Sequence, residues 1–485
     1  MINLKSVYKV LGTLLFIEAV LMLSCLAVTI CYHEDDTFTF LTSILLTVSL
    51  GFILKYLGRE SNDSLSRRDA YLLVTLSWML FSLCGTLPFM IGGYITNFTD
   101  AYFESISGFT TTGATIVSHV EQLPHGLLFW RSLTQWIGGL GIVFFTIALL
   151  PSMVGGTVKV FAAEATGPIR TKLHPKLSTT AKWLWVVYVV LTLCCAGAYA
   201  LCGMSLFESV NYAMTTTATG GFAIHDNGLQ HFSSAPIEYS CSLFCFLSGI
   251  NFTLLYFSLS KLRLRSLFKN TEFKFYFWSA TAFTIVVMLA LIVQSGYNAE
   301  HAFRSALFQV VTFITSTGLF NEDVSGWPML AILILLLCMV IGASSGSTSS
   351  GLKGIRVVML FKVMRNELRQ ILHPNAVLPL RAGGQNIPMQ KRVTLFAFFA
   401  FFFAISLVAA ASLLMSGVDA PNAVKITLSC ISNVGPELET GIGQSLSWAG
   451  LPVHVKWFCA MLMLVGRLEI FSVIVIFTPA FWKEN

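Results

Sequence analysis

Long apolar stretches alternate with short polar ones along this chain, and their order repeats. Ten apolar runs occupy roughly 8–32, 38–57, 70–92, 127–150, 181–203, 237–258, 275–296, 328–372 (interrupted in the middle), 393–416 and 454–480. Runs of about 20 residues are long enough to cross a hydrocarbon layer about 30 Å thick. Between the last four pairs of runs sit four related segments: FESISGFTTTGATI (Phe103 to Ile116), FESVNYAMTTTATGGF (Phe207 to Phe222), ALFQVVTFITSTGLF (Ala306 to Phe320) and KITLSCISNVGPEL (Lys425 to Leu438). Each contains a Thr/Gly- or Val/Gly-type turn. The pattern predicts an all-α polytopic membrane protein of ten spans. An N-terminal two-helix hairpin (1–69) precedes four units of outer helix, re-entrant segment and inner helix at 70–150, 181–258, 275–372 and 393–480. Internal repetition of this kind fixes architecture. Four such units in one polypeptide can surround one pore.

Charge gives the orientation. The connections at 55–69, 151–182, 259–276 and 353–392 hold four, five, five and eight Lys or Arg residues, whereas 93–126 and 204–236 hold none. The excess of basic residues on the cytoplasmic side places both termini inside and all four turns on the outer face. The four units then share one orientation, as parallel repeats about an axis along the membrane normal do; inverted repeats would alternate.

Composition narrows the class further. The chain is 55% hydrophobic and 11% charged, with a mean hydropathy of +0.74. A water-facing surface needs about 25% charged residues, so no soluble domain of any size fits. The net charge of +6 follows from the basic loops and points to membrane lipid rather than nucleic acid as its partner. Eleven cysteines include no CxxC pair, and most lie within expected spans (Cys25, Cys84, Cys194, Cys195, Cys338 and Cys459 among them). There they act as small hydrophobes. The nine histidines, among them His33, His119, His125, His174, His225 and His373, fall mostly in loops. No paired Asp, Ser/His couple or metal-spaced set is apparent, so an intramembrane enzyme is disfavoured.

The turns carry the candidate chemistry. An ion leaving water needs its hydration shell replaced, and backbone carbonyls do so without a fixed charge. The candidate residues are Thr111, Thr112 and Gly113; Thr219, Gly220 and Gly221; Thr317, Gly318 and Leu319; and Val434, Gly435 and Pro436. Gly113, Gly220, Gly318 and Gly435 are expected to supply the unusual dihedrals. The preceding half-helices would point the negative ends of their dipoles at the axis, which favours a cation. Glu104, Glu208, Asp226, Glu322, Asp323, Glu437 and Glu439 lie near enough to concentrate cations at the mouth, or serve as ordinary solvated loop charge.

Two features of the inner helices suggest a gate. The third contains GASSGSTSSGLKG from Gly342 to Gly354, with Gly346, Ser347, Thr348, Gly351 and Lys353 between. So many small polar residues cannot form a lipid-facing helix, and the segment must lie against protein or water. A loop there, across the axis, would obstruct ions. Arg467 lies deep in the last span, two residues before Glu469. A charge at that depth is costly and marks function; residues two apart do not face each other on a helix, so a local Arg467–Glu469 pair is disfavoured. Lys353 and Arg356 sense a partner or snorkel to the interface. Arg131, with Trp130 and Trp136, is expected to be an interfacial anchor.

TTTGAT, TATGGF and TSTGLF in successive units, with a divergent fourth copy, resemble the potassium-translocating membrane subunits of the Trk/Ktr/HKT superfamily, the bacterial Trk system in particular. The resemblance covers almost the whole chain. It implies K+ as the permeant ion with no covalent cofactor, a bacterial cytoplasmic-membrane location, a homodimer with one pore per protomer, and a cytosolic nucleotide-binding regulatory ring. An arginine of the last inner helix guards the pore in that family, which matches Arg467. Each turn has a shorter Gly-containing motif than the TVGYG strand of tetrameric potassium channels, so some sodium should pass. The rival reading is a proton- or sodium-coupled secondary transporter, for which Glu469 is the only clear midspan acid.

Overall fold

The computed structural model describes residues 2–61, 65–142, 177–260, 264–376, 378–382, 385–386, 389–435 and 448–483. It is helical throughout, apart from a two-residue antiparallel pairing of Arg381–Ala382 with Gln385–Asn386. Six helices are long and apolar enough to cross a membrane: Leu4–Cys31, Thr37–Leu57, Arg67–Ile91, Thr179–Leu201, Thr271–Ser295 and Arg392–Met415. Two further pairs pass only as bent spans: Ala235–Ser248 with Phe252–Ser258, bent by 101°, and Val453–Arg467 with Ile470–Phe477, bent by 116°. Of the remaining expected spans, 127–150 leaves the described residues after 142. The span 328–372 is split into Met329–Ile341 and Gly354–Leu372.

Each of the four outer helices leads into a short helix: Phe98–Phe109, Leu206–Ala218, Ala299–Ile314 and Ala420–Ser432. With 12 to 16 residues, none can span the layer, since a helix rises only about 1.5 Å per residue. They dip in and stop. Local chemistry sets their starts. The Asn97 side chain accepts the Thr99 N–H, and Ser205 and Glu208 form a reciprocal capping box, satisfying N–H groups that the first turn leaves without partners. Beyond the first turn these helices are largely buried; Ser209 and Asn211–Ala218 are buried without a break.

Packing closes the four units into a ring. The helix after each turn (His125–Leu140, Ala235–Ser248, Met329–Ile341, Val453–Arg467) packs against the short helix of the next unit, and the fourth returns to the first. A cyclic order of this kind places the four short-helix C-termini around a common centre. The N-terminal hairpin packs on the outside, its first helix against Arg67–Cys84 and His125–Leu140.

Candidate functional site

Every short helix ends in the same backbone event. Thr111, Thr219, Ser316 and Asn433 have φ of 53°, 55°, 58° and 51°, all left-handed. Two residues later come Gly113, Gly221, Gly318 and Gly435, of which the first three have φ of 84°, 81° and 71°. This sets the register of the four turns: Thr111-Thr112-Gly113, Thr219-Gly220-Gly221, Ser316-Thr317-Gly318 and Asn433-Val434-Gly435. The equivalent of Gly113 is therefore Gly221, not Gly220 as expected. In the third and fourth units the turn begins one residue earlier than expected, at Ser316 and Asn433. Leu319 lies one position beyond it, and Pro436, Glu437 and Glu439 fall outside the described residues. The hydroxyl pairs Thr110–Thr112 and Thr315–Thr317, each at 2.8 Å, confirm the alignment of units one and three.

The turns touch one another. A Cβ at Gly113 would fall on the Gly220 carbonyl oxygen, and one at Gly221 on that of Thr317. Glycine is required there for space as well as for φ. The Gly435 N–H donates to the Thr112 carbonyl, and Asn433 Nδ2 donates to Thr112 Oγ1 at 2.9 Å and Met463 O at 2.9 Å. Outside the ring, all four glycines line a cavity of about 450 Å³. Leu319, Asp226, Glu322 and Asp323 also line it. The Ser325 backbone N–H and hydroxyl donate to Asp323 and hold its carboxyl below the ordinary range, so it stays charged. Burial raises Glu322.

Glu104 and Arg131 depart from the sequence reading. Glu104 is not at the mouth and Arg131 is not an interfacial anchor; they form a fully buried ion pair, Nε to Oε1 2.9 Å. The Ile116 N–H and the Thr115 hydroxyl donate to Glu104. Arg131 donates to the Ala223 carbonyl at 2.9 Å and lies 4.2 Å from the Phe222 ring centroid. The pair thus ties the chain after turn one to the chain after turn two. Trp130 and Trp136 are turned inward as well, donating to the Gly85 carbonyl and the Thr192 hydroxyl. Gln135, which sequence reasoning missed, braces the second turn: its Nε2 donates to Gly220 O at 2.9 Å and its Oε1 accepts the Phe222 N–H.

Directly beneath the turns lies the Gly342–Gly354 loop. Gly342, Gly346, Gly351 and Lys353 all have positive φ, which is why no helix continues through them. Thr348 Oγ1 donates to Thr217 O at the end of the second short helix (3.1 Å) and to Ser248 O (3.3 Å). The Ser350 N–H donates to Ser316 Oγ in the third turn, 2.7 Å. Arg467 reaches across from the fourth unit to Thr348 O (2.8 Å) and Ser350 Oγ (3.2 Å). Its other nitrogen donates to Gly138 O at 2.6 Å and to Gly139 O in the first unit. One loop is thereby fastened to all four units. Glu272 secures its edge by accepting the Ser345 and Ile355 N–H groups. Ser347 bonds Ser344 and Ser349 within the loop.

Lys353 and Arg356 neither face a partner nor snorkel. Both are buried; Lys353 donates to the Ser349 carbonyl, and Arg356 pairs with Glu469 at 2.6 Å. Glu469 is not the sole midspan acid: Glu18, at the middle of the first helix, is fully buried with no hydrogen-bond partner to its carboxyl oxygens among the described residues.

The chain is 33% identical to the Trk system potassium uptake protein TrkH of Halomonas elongata, over 99% of this chain and 100% of that one. It is 33% identical to the protein of the same name from Escherichia coli K12 at equal coverage. A crystal structure of the potassium transporter TrkH from Vibrio parahaemolyticus superposes with a TM-score of 0.89 at 31% identity, covering 99% of both chains. Residues 36–484 match the family described as TrkH, cation transport protein, and with the multi-pass helical fold this makes the chain a member of that family of membrane transport proteins.

Proposed function

We propose that this chain carries K+ into the cell across the cytoplasmic membrane of a bacterium, through a passive pathway whose narrowest part is the ring of four turns. The observation that carries the reading is that ring: four left-handed turns, each ending in glycine, meeting beneath one cavity with acidic residues in its wall. Relatives named as potassium uptake proteins make K+ the first choice of ion. Carbonyls of the turns replace its hydration shell, and each ion gains about 2.3 kcal/mol per 100 mV of inside-negative potential. The Gly342–Gly354 loop, held by Arg467, is the gate in its closed position. Both termini are cytoplasmic, by the distribution of basic residues. The chain works as a homodimer with a cytosolic nucleotide-binding regulatory partner, as the family resemblance implies.

Coupled transport is the weaker reading, because Glu469 is already engaged by Arg356, and the unpartnered Glu18 sits in the N-terminal hairpin. The test is flux into sealed liposomes holding only this protein, comparing gradients of K+, Rb+, Na+ and Li+. Passive flux favouring K+ and Rb+ is expected. Flux that appears only with an opposing proton or sodium gradient would overturn the passive pathway.

A further inference from the structure

A cluster of histidines and carboxylates joins the loops that follow turns one and two. His225 has both ring nitrogens on carboxylates: Nδ1 lies 3.0 Å from Glu121 Oε1 and Nε2 lies 3.2 Å from Glu208 Oε1. A neutral imidazole donates only one proton. Glu208 is fixed in place, since its Oε2 accepts the Ser205 N–H at 2.8 Å; with His225 protonated on Nε2, Glu208 Oε1 accepts that N–H. In that tautomer the Nδ1 lone pair faces the Glu121 carboxylate, an arrangement relieved by a proton or a metal cation between them. His231 supplies the third donor, with its ring stacked on His225 at 3.7 Å and 3°. Donor atoms of Glu121, His225 and His231 all lie within 4.8 Å of one another.

We propose that Glu121, His225 and His231 bind a borderline-soft divalent cation such as Zn2+, with Glu208 orienting His225, and that the bound ion restrains entry to the cavity. Two imidazoles and a carboxylate, with water in the fourth position, are a donor set Zn2+ accepts. The carboxylate behind His225 is the second partner that metal-bound histidines ordinarily have. Parallel rings cannot both aim a lone pair at one ion, so binding turns the His231 ring out of the stack, which its exposure permits. Position supplies the effect. Glu121 belongs to the loop after turn one, and His225 lines the cavity beside Asp226, which accepts the Val120 N–H at 2.6 Å. A dication there ties the two loops together and repels K+ approaching the mouth.

The effect on entry rests on the pathway proposed above, but the binding does not, so the two are measured separately. Zn2+ binding to the purified full chain in detergent is titrated by competition with a fluorescent chelator, for wild type, His225→Ala, His231→Ala and Glu208→Gln. One Zn2+ per chain is expected, with affinity at least tenfold weaker in both alanine variants and about tenfold weaker in Glu208→Gln. Thermal melting confirms that each variant is folded; His231→Ala, at an exposed position outside the cavity wall, is the safeguard if His225→Ala is not. K+ flux into liposomes is then followed with Zn2+ added outside, where wild type should be inhibited and His231→Ala should keep its basal flux and resist. Unchanged binding in both alanine variants overturns the site. Binding without inhibition of a measurable flux overturns its role at the mouth. Absence of Zn2+ binding, with flux lowered by outside acidification in wild type but not in His225→Ala, overturns the metal in favour of a proton. Absence of any flux with Zn2+ binding intact counts against the pathway and leaves the metal site standing.

Discussion

The four turns and the four inner-helix breaks beneath them are built from the same repeated unit, yet they differ in symmetry. At the turns each unit places a left-handed residue and, two positions on, a glycine. At the breaks each unit does something different. The first stops at Gly141 with φ 101°, the second bends by 101° beyond Gly249, the third opens into a thirteen-residue segment from Gly342 to Gly354, and the fourth bends by 116° about Leu468 and Glu469. On the proposed function, coordination of a centred ion needs matching groups from every side, which would hold the turns alike. On the same reading, obstruction needs one object on the axis, which the third unit supplies, and all four units can then contribute supports. The second unit supplies the Thr217 and Ser248 carbonyls, the third the Ser316 hydroxyl, the fourth Arg467 and the first the Gly138 and Gly139 carbonyls.

The largest effect should come from the buried support of the turns. Arg131→Ala leaves the Glu104 carboxyl without its ion-pair partner in a site neither side chain exposes. Loss of one member of a buried pair costs about 3–5 kcal/mol. Thermal stability in detergent should fall sharply, whereas Lys5→Ala, which removes a solvent-exposed ion pair with Glu60, should barely change it. Equal losses would remove the distinction between a pinned turn and an ordinary surface contact.

Next comes Gly113→Ser. Its Cβ would strike the Gly220 carbonyl at a φ of 84°, displacing one quarter of the ring. Discrimination of K+ from Na+ should fall about tenfold, which is ~1.4 kcal/mol. Gly351→Ala, in the loop, should alter basal flux with selectivity unchanged. A selectivity change at Gly351 as large as at Gly113 would merge the two regions into one functional element.

Arg467→Ala should act at the breaks alone. It removes charge-assisted bonds to loop and first unit together, each worth about 1.5–3 kcal/mol when well made, part of which water recovers. Basal K+ flux without any partner should rise several-fold at unchanged selectivity. Normal expression with unaltered flux would show that the loop is not a gate.

Hydropathy made six spans legible as single helices because the bilayer demands a fixed length of apolar chain, and turn composition came within one residue of all four turns. Register was harder. The sequence reading aligned glycines, which picks Gly220 over Gly221; the backbone aligns the left-handed residue before them. In units three and four that residue is Ser316 and Asn433, neither of which announces a positive φ, although Asn tolerates it better than most. The i, i+2 spacing shared by Thr111/Gly113 and Thr219/Gly221 was the available signal. Likewise the third break is visible through its four glycines, while Glu469 adopts φ 63° with no glycine to mark the fourth. The Glu104–Arg131 pair joins two helices of the first unit, and only packing reveals that Arg131 faces inward.

The smallest effect, and the sharpest test of how turn and break communicate, is Thr348→Val. Valine keeps the shape and removes a single hydroxyl, whose proton is shared between Thr217 O at 3.1 Å and Ser248 O at 3.3 Å. Thr217 closes the second short helix, so this hydroxyl is a direct link from the loop to the base of a turn. A neutral hydrogen bond contributes about 0.5–1.5 kcal/mol, and a shared, slightly long one belongs at the low end. Basal flux should therefore rise about threefold, ~0.7 kcal/mol, well below Arg467→Ala. The double variant Thr348→Val with Arg467→Ala should be less than additive, because Arg467 also donates to Thr348 O and the two bonds hold one residue. Full additivity would mean that the loop leaves its place in independent pieces, and a single moving gate would no longer describe it.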